Sequence, residues 1–166
     1  MDLKPTSGSI TPEERTILKD YATSHNIKSV LEFGPGYSTM SFLACEKIVS
    51  LEPNKTWYEK YKGIFEPFAN VHIYLFNPNE TNISVPEADS YSFDLAFVDS
   101  PPARGVLPRF NSLMYALARA KVVFLHDTKR QGEQNTIRTI AEMHPTLEIE
   151  QYKTSRGMTR FTRQEN

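Results

Sequence analysis

The chain has 166 residues, 39% of them hydrophobic, which suits one domain with one core, because two domains would each fall below the commonest size range. Lys and Arg number 19 against 20 Asp and Glu, so no global field draws in nucleic acid or an anionic membrane. The single cysteine, Cys45, excludes an intramolecular disulfide and a multi-thiolate metal site, and fits a reducing compartment.

"ITPEERTILKDYATSHN" predicts a helix with Thr11 as N-cap, Pro12 at the first helical position and Glu14 placed to complete a capping box. Ile17, Leu18, Tyr21 and Ala22 give it one apolar stripe. Five short segments follow at 28–33, 47–52, 70–76, 93–99 and 121–127, rich in β-branched and aromatic residues and mostly apolar on both faces, as buried parallel strands are. Between them lie helical spacings: Trp57, Tyr58, Tyr61, Ile64 and Phe65; then Val106, Phe110, Leu113, Met114 and Leu117; and last Ile137, Ile140 and Ala141. Residues 77–92, with two prolines and many turn formers, replace a crossover helix with an irregular connection. The end, 147–164, reads as two strands around "SRG".

This alternation predicts an α/β fold: a doubly wound Rossmann-like sheet, mostly parallel with a C-terminal antiparallel hairpin, and helices on both faces. One domain is expected over 1–166, with an N-terminal segment and helix at 1–27 ahead of a core at 28–164. The opening "MDLKPTSGSI" lacks the apolar stretch of a signal peptide, and no apolar run nears the roughly 18 residues of a membrane span. A soluble, cytoplasmic protein with no membrane partner is the expectation.

"VLEFGPGYST" (30–39) crosses from a strand tip towards a predicted helix near Tyr37 or Ser38. Gly34 and Gly36 allow a tight turn and close approach of a ligand, and free N–H groups at a helix start would suit a carboxylate or phosphate. The spacing approaches the dinucleotide fingerprint G-x-G-x-x-G, but Thr39 stands at the third glycine. Glu52 ends the next strand, where an acid can accept both hydroxyls of a ribose, which points to an adenosine-like ligand. Glu32, within a strand, is costly to bury without a donor or cation, and a ligand ammonium would satisfy it.

Together "VLEFGPGYST", "IVSLEPN", "FDLAFVDSPP" and the closing hairpin resemble the class I S-adenosylmethionine-dependent methyltransferases, over roughly 28–164. The resemblance implies S-adenosylmethionine as cofactor, with Gly34 and Gly36 against its methionyl part, Glu32, Ser38 and Thr39 close by, and Glu52 on the ribose. The acid that contacts adenine in many members is missing, which leaves Asn77 or Asn79.

Asp99, His126 and Asp127 follow the fourth and fifth predicted strands and should converge on the same rim as catalytic candidates. For an alcohol acceptor, a carboxylate or imidazole takes the proton, or a divalent cation lowers the hydroxyl's pKa and fixes its direction. Two acids on adjacent strand tips suit Mg²⁺. The spacing of Asp99 and Asp127 is similar to that of metal-dependent small-molecule and sugar O-methyltransferases, although Thr128 stands where the catechol type has an amide and no third side-chain ligand is identified. "VDSPPARG" and the segment after it also resemble, more loosely, the polysaccharide glucuronate O-methyltransferases. Arg104, Lys129 and Arg130 flank the rim and would grip an anionic acceptor. "DSPP" departs from the D-P-P-aromatic motif of amino methyltransferases, since Ser100 intervenes and Ala103 replaces the aromatic; N-methylation therefore ranks below O-methylation. The Lys-Asp-Lys-Glu tetrad of ribose methyltransferases cannot be placed either, and a nucleic-acid partner is not favoured.

The leading reading is O-methylation of a small-molecule or saccharide hydroxyl. A non-catalytic S-adenosylmethionine- or nucleoside-binding module within a complex is the alternative, and a dinucleotide-dependent oxidoreductase is a third, opposed by Thr39 and the terminal hairpin. Only the N-terminal helix and residues 77–92 are available as a lid, so the acceptor site is open, shaped for a large acceptor, or completed by a second subunit of a homo-oligomer.

Overall fold

In the computed structural model, residues 3–4, 9–80, 82–102 and 105–164 are described. The helix α1 (Pro12–Ser24) begins as its sequence dictates: the Thr11 hydroxyl accepts from the Glu14 N–H at 3.2 Å and Glu14 accepts from the Thr11 N–H at 2.9 Å. Parallel strands β1 (Ser29–Phe33), β2 (Lys47–Glu52), β3 (Val71–Leu75), β4 (Phe93–Val98) and β5 (Ala120–His126) follow, with antiparallel β6 (Leu147–Tyr152) and β7 (Met158–Arg163) at the end. The sheet order is β3-β2-β1-β4-β5-β7-β6. Helices α2 (Lys55–Phe65), α3 (Pro86–Asp89), α4 (Phe110–Arg119) and α5 (Gln131–Met143) complete the chain. No helix among the described residues is long and apolar enough to cross a membrane.

The twofold alternation of a strand divides the core. Leu31, Val49, Ala96 and Val123 face one way, onto Leu113 and Ala116 of α4 and Ile137 and Ile140 of α5. Val30, Ile48, Phe97 and Phe124 face the other, onto Leu18 and Ala22 of α1 and onto Phe42. By the same alternation Glu32, Glu52, Asp99 and His126 all belong to the α1 side, which is why four polar groups from four strand tips meet at one end of the sheet.

Four sequence expectations are corrected. The helix predicted near Tyr37 or Ser38 is only one 3-10 turn, Thr39–Ser41, so no α-helical N-terminus stands behind the glycines. The chain returns at once because Phe42 is buried against the sheet and accepts the Cys45 N–H at its carbonyl. Val106, expected in a helix, is exposed, since Pro108 precedes a left-handed Arg109 (φ 59°) and α4 starts only at Phe110. Strand β3 is half exposed, as an edge strand is, rather than buried on both faces. Finally, α2 buries only Phe65; Trp57 and Tyr61, expected in the core stripe, line a cavity instead.

The β6–β7 turn docks on the end of β5: the Thr128 N–H donates to the Gly157 carbonyl and the Lys129 N–H to that of Arg156. Gly157 has φ +81°, and a Cβ there would lie 2.7 Å from the Lys129 nitrogen. Gly157→Ala is predicted to lower unfolding free energy by about 2 kcal/mol. Urea denaturation measures it; a loss under about 0.5 kcal/mol, the range of neutral surface changes, would contradict this close docking.

Candidate active site

A cavity of about 610 Å³ lies beyond the carboxyl ends of the parallel strands, a size suited to a drug-sized or nucleoside-sized ligand. Gly34, Gly36 and Ser38 form its floor, Glu52, Trp57 and Tyr61 one end, and Asp99, Arg109, Asp127 and Arg156 the other. Ser9, Ile10 and Pro78 also line it, so the segment before α1 and the start of the 77–92 connection both contribute walls.

Protein atoms crowd both glycines, and the left-handed backbone at Gly34 requires one. A Cβ on Gly34, which has φ +91°, would lie 3.0 Å from the Ser100 Cβ, and one on Gly36 would lie 3.1 Å from the Tyr61 hydroxyl. The Gly36 N–H donates to the Thr39 hydroxyl at 2.9 Å. Glu32 is wholly buried behind the turn and accepts three hydroxyl bonds, from Ser38 (2.6 Å), Thr39 (2.7 Å) and Ser50 (2.7 Å). These hydroxyls supply the donors that a ligand ammonium was expected to supply. Burial raises the Glu32 carboxyl to about 7 against the opposing pull of the three bonds. Glu32 and Thr39 therefore stand behind the cavity floor, while Ser38 reaches it.

Glu52 projects into the cavity end, with Oε1 accepting the Asn54 N–H at 2.8 Å. Burial raises its carboxyl to about 6, partly offset by that bond. Trp57 and Tyr61 stack beside it with centroids 5.6 Å apart at 19°. Asn77, expected near adenine, is exposed and turned away: its Nδ2 donates to Glu80 and its Oδ1 accepts the Asn79 N–H. Pro78 takes the wall position instead, and neither Asn77 nor Asn79 lines this cavity.

At the opposite end Asp99, His126 and Asp127 do converge, with one ligand atom of each within 4.8 Å of the others. The environment differs from the expected one. His126 is wholly buried and its two ring nitrogens donate to Asp99 Oδ1 (2.8 Å) and Glu14 Oε2 (3.0 Å). Burial alone would lower its pKa, but the bonds to Asp99 and Glu14 and the charges of Asp99 and Asp127 raise it to about 9. Both ring nitrogens are thus engaged by carboxylates, and the raised pKa favours the imidazolium, a form with no lone pair free to act as the base read from the sequence. Glu14, read from sequence only as a helix cap, also accepts the Thr154 hydroxyl at 2.5 Å. Burial pushes Glu14 up, yet the bonds from His126, the Thr11 N–H and Thr154 bring it down to about 2.

Asp127 (φ 61°) is ringed by Arg156 Nε at 2.6 Å, Arg130 at 2.9 Å and Arg109 at 3.3 Å, and Arg109 Nη2 also lies 3.1 Å from Asp99. Burial would raise the Asp127 carboxyl, but His126, Arg156 and Arg109 hold it below the usual aspartate range. Arg130 was among the rim cations read from sequence; Lys129 is exposed and does not line the cavity, and Arg104 lies outside the described residues. Arg109, Arg156 and Glu133 were missed. The signal for Arg156 was the "SRG" turn opposite the predicted fifth strand, and for Arg109 a lone cation between Pro108 and an apolar helix.

No family model and no curated protein matches this chain. Solved structures do. The O-methyltransferase TomG from Streptomyces achromogenes, in complex with SAM, superposes with a TM-score of 0.74 at 15% identity, covering 98% of this chain and 92% of that one. The O-methyltransferase from Bacillus cereus in complex with SAH gives 0.73 at 14% identity, covering 95% and 84%. Cofactor-bound Rv0187 from MTB gives 0.74 at 17% identity, covering 99% and 85%. The chain has the Rossmann-like fold of these methyltransferases.

The buried His126–Glu14 pair sets a pH dependence. Because the His126 pKa is raised from 6.5 to about 9, its contribution to stability is full below about 6.5 and lost as pH rises through about 9. Glu14, lowered from 4.5 to about 2, contributes fully above about 4.5 and loses its contribution as pH falls towards 2. The stability difference between wild type and His126→Gln should therefore shrink from pH 7 to pH 10, and the His126 ring should titrate in NMR near 9. A ring midpoint below 6.5 would contradict the imidazolium assignment.

Proposed function

We propose that this chain is an S-adenosylmethionine-dependent O-methyltransferase acting on a hydroxyl of a small molecule or saccharide. One observation carries the reading: a single cavity joins a ribose-type acid, Glu52, beside exposed aromatic surface at one end to a second carboxylate, Asp99, at the other, across a floor of bare backbone.

The cofactor fits what lines that cavity. Glu52 is buried with one oxygen bonded to Asn54, and the pair of ribose hydroxyls would complete it and draw its raised pKa down again. Trp57 offers an aromatic face for adenine in the place expected of Asn77. Gly34, Gly36 and Ser38 would meet the methionyl part, with Glu32 and Thr39 acting as positioning residues that fix Ser38 and the Gly36 N–H. Bound S-adenosylmethionine supplies a methyl group already activated on a sulfonium.

The protein's own task is then to align the acceptor, exclude water and manage one proton. The bound cofactor would supply the methyl group to the acceptor oxygen and keep the carbon–sulfur electron pair on its sulfur, and Asp99 would take the hydroxyl proton. Both ionic contacts of Asp99 fall on Oδ1, so Oδ2 is the oxygen we assign to this step. His126 holds that carboxylate in place as a positioning residue. Arg130 at the rim suits an acceptor that carries a carboxylate or phosphate.

Calorimetry should show S-adenosylmethionine binding that weakens at least tenfold, about 1.4 kcal/mol, in Glu52→Ala. Asp99→Asn should keep most of that affinity and lose about 10²–10⁴-fold in turnover. Unchanged affinity in Glu52→Ala, or no binding to wild type, would overturn the cofactor assignment.

A further inference from the structure

We propose that the Arg109 guanidinium stands where a divalent cation would bridge Asp99 and Asp127, and that this site is closed to a metal ion and orients the acceptor with a built-in organic cation instead. The part concerning the acceptor rests on the methyl-transfer reading; the exclusion of the ion does not.

The ligand set has the right dimensions for a metal, since atoms of Asp99, His126 and Asp127 lie within 4.8 Å of one another. The space between the two carboxylates is filled, however, by Arg109 Nη2 at 3.1 Å from Asp99 Oδ1 and 3.3 Å from Asp127 Oδ2. A Mg²⁺ ion needs oxygens at about 2.0–2.1 Å in near-octahedral array and keeps several waters. It cannot share that position with a guanidinium. Nor is the third member free, because both ring nitrogens of His126 are already bonded to carboxylates, at 2.8 Å to Asp99 and 3.0 Å to Glu14.

The guanidinium is held from every side. Nε donates to the Pro101 carbonyl, Nη1 to the His126 carbonyl and Nη2 to Asp127, while Asp99 Oδ1 lies 3.1 Å from Nη2 and Glu133 3.6 Å from Nη1 as ion-pair partners. Glu133 is wholly buried, its carboxylate oxygens accept no hydrogen bond from another described side chain, and Arg109 is the cation 3.6 Å from it. Arg109 and Asp127 both adopt left-handed backbone, a conformation that costs a non-glycine residue on the order of 1–2 kcal/mol and persists only where surroundings impose it. Four carboxylates, Glu14, Asp99, Asp127 and Glu133, face four cations, His126, Arg109, Arg130 and Arg156.

A fixed cation suits the reaction. Arg109 lines the cavity beside Asp99, so its charge lies where an acceptor oxygen gains negative charge as it loses its proton. Unlike a metal ion, a guanidinium cannot dissociate or lose its proton at any working pH.

The test is a Mn²⁺ titration followed by electron paramagnetic resonance on chelator-stripped protein, which reads the ion without any turnover. Wild type should bind no Mn²⁺ below the millimolar range, and Arg109→Ala, with the two acids uncovered, should bind one ion per chain at least about tenfold more tightly. One Mn²⁺ per wild-type chain, lost in Asp127→Asn, would overturn the proposal, and so would a folded Arg109→Ala that gains no ion. If Arg109→Ala does not fold, the wild-type titration decides alone. Should wild type exclude Mn²⁺ yet bind no S-adenosylmethionine, the methyl-transfer reading fails while the exclusion stands.

Discussion

Burial of carboxylates at one end of the sheet is the constraint on which this molecule turns. Glu14, Asp99, Asp127 and Glu133 come together where β4, β5, α1 and α5 meet, and an isolated carboxylate out of water is too costly to persist. Each is answered by a cation from a different part of the chain: His126 from β5, Arg109 from the loop before α4, Arg130 from the start of α5, Arg156 from the terminal hairpin. The cluster thus ties the first helix, both edges of the site and the last two strands into one unit. Removing one partner of such a buried set leaves the others uncompensated, a loss of about 3–5 kcal/mol.

The same strand alternation that separates the two hydrophobic layers sends Glu32, Glu52, Asp99 and His126 to one side. Their fates differ because their neighbours do. Glu32 meets neutral hydroxyls and is raised by burial; Glu52 meets one backbone N–H and the cavity; Asp99 meets two cations. The cavity thus has a lightly satisfied acid, Glu52, and a cluster of paired charges around Asp99 and Asp127 among its lining, the contrast on which the proposed division into a nucleoside part and a reacting part rests.

The alternating pattern of strands and helices was legible in the sequence because β1, β2, β4 and β5 are mostly apolar on both faces and α1, α4 and α5 keep their apolar stripes. So were the capping box of α1 and the convergence of Asp99, His126 and Asp127, which follows from the topology alone. The short 3-10 turn after the glycines was not legible, since "YSTMSF" carries no signal that its hydroxyls serve a buried carboxylate rather than a helix cap. Asn77 was misplaced because a polar residue past a strand tip bonds as readily to its own loop as to a ligand. The cation cluster was hidden for a different reason. Arg109 reaches its partners through a left-handed residue, and Arg156 through a turn held by Gly157, and neither geometry follows from side-chain periodicity.

The central claim is that one cavity pairs a nucleoside end at Glu52 with a reacting end whose cation is Arg109. Its most direct test is a crystal structure grown with S-adenosylhomocysteine and MnCl₂, with anomalous scattering recorded for manganese. The result predicted is a ribose on Glu52, the sulfur near Asp99, the guanidinium between Asp99 and Asp127, and no anomalous peak there. A manganese peak between the two aspartates with Arg109 displaced, or a nucleoside bound away from Glu52, would contradict it.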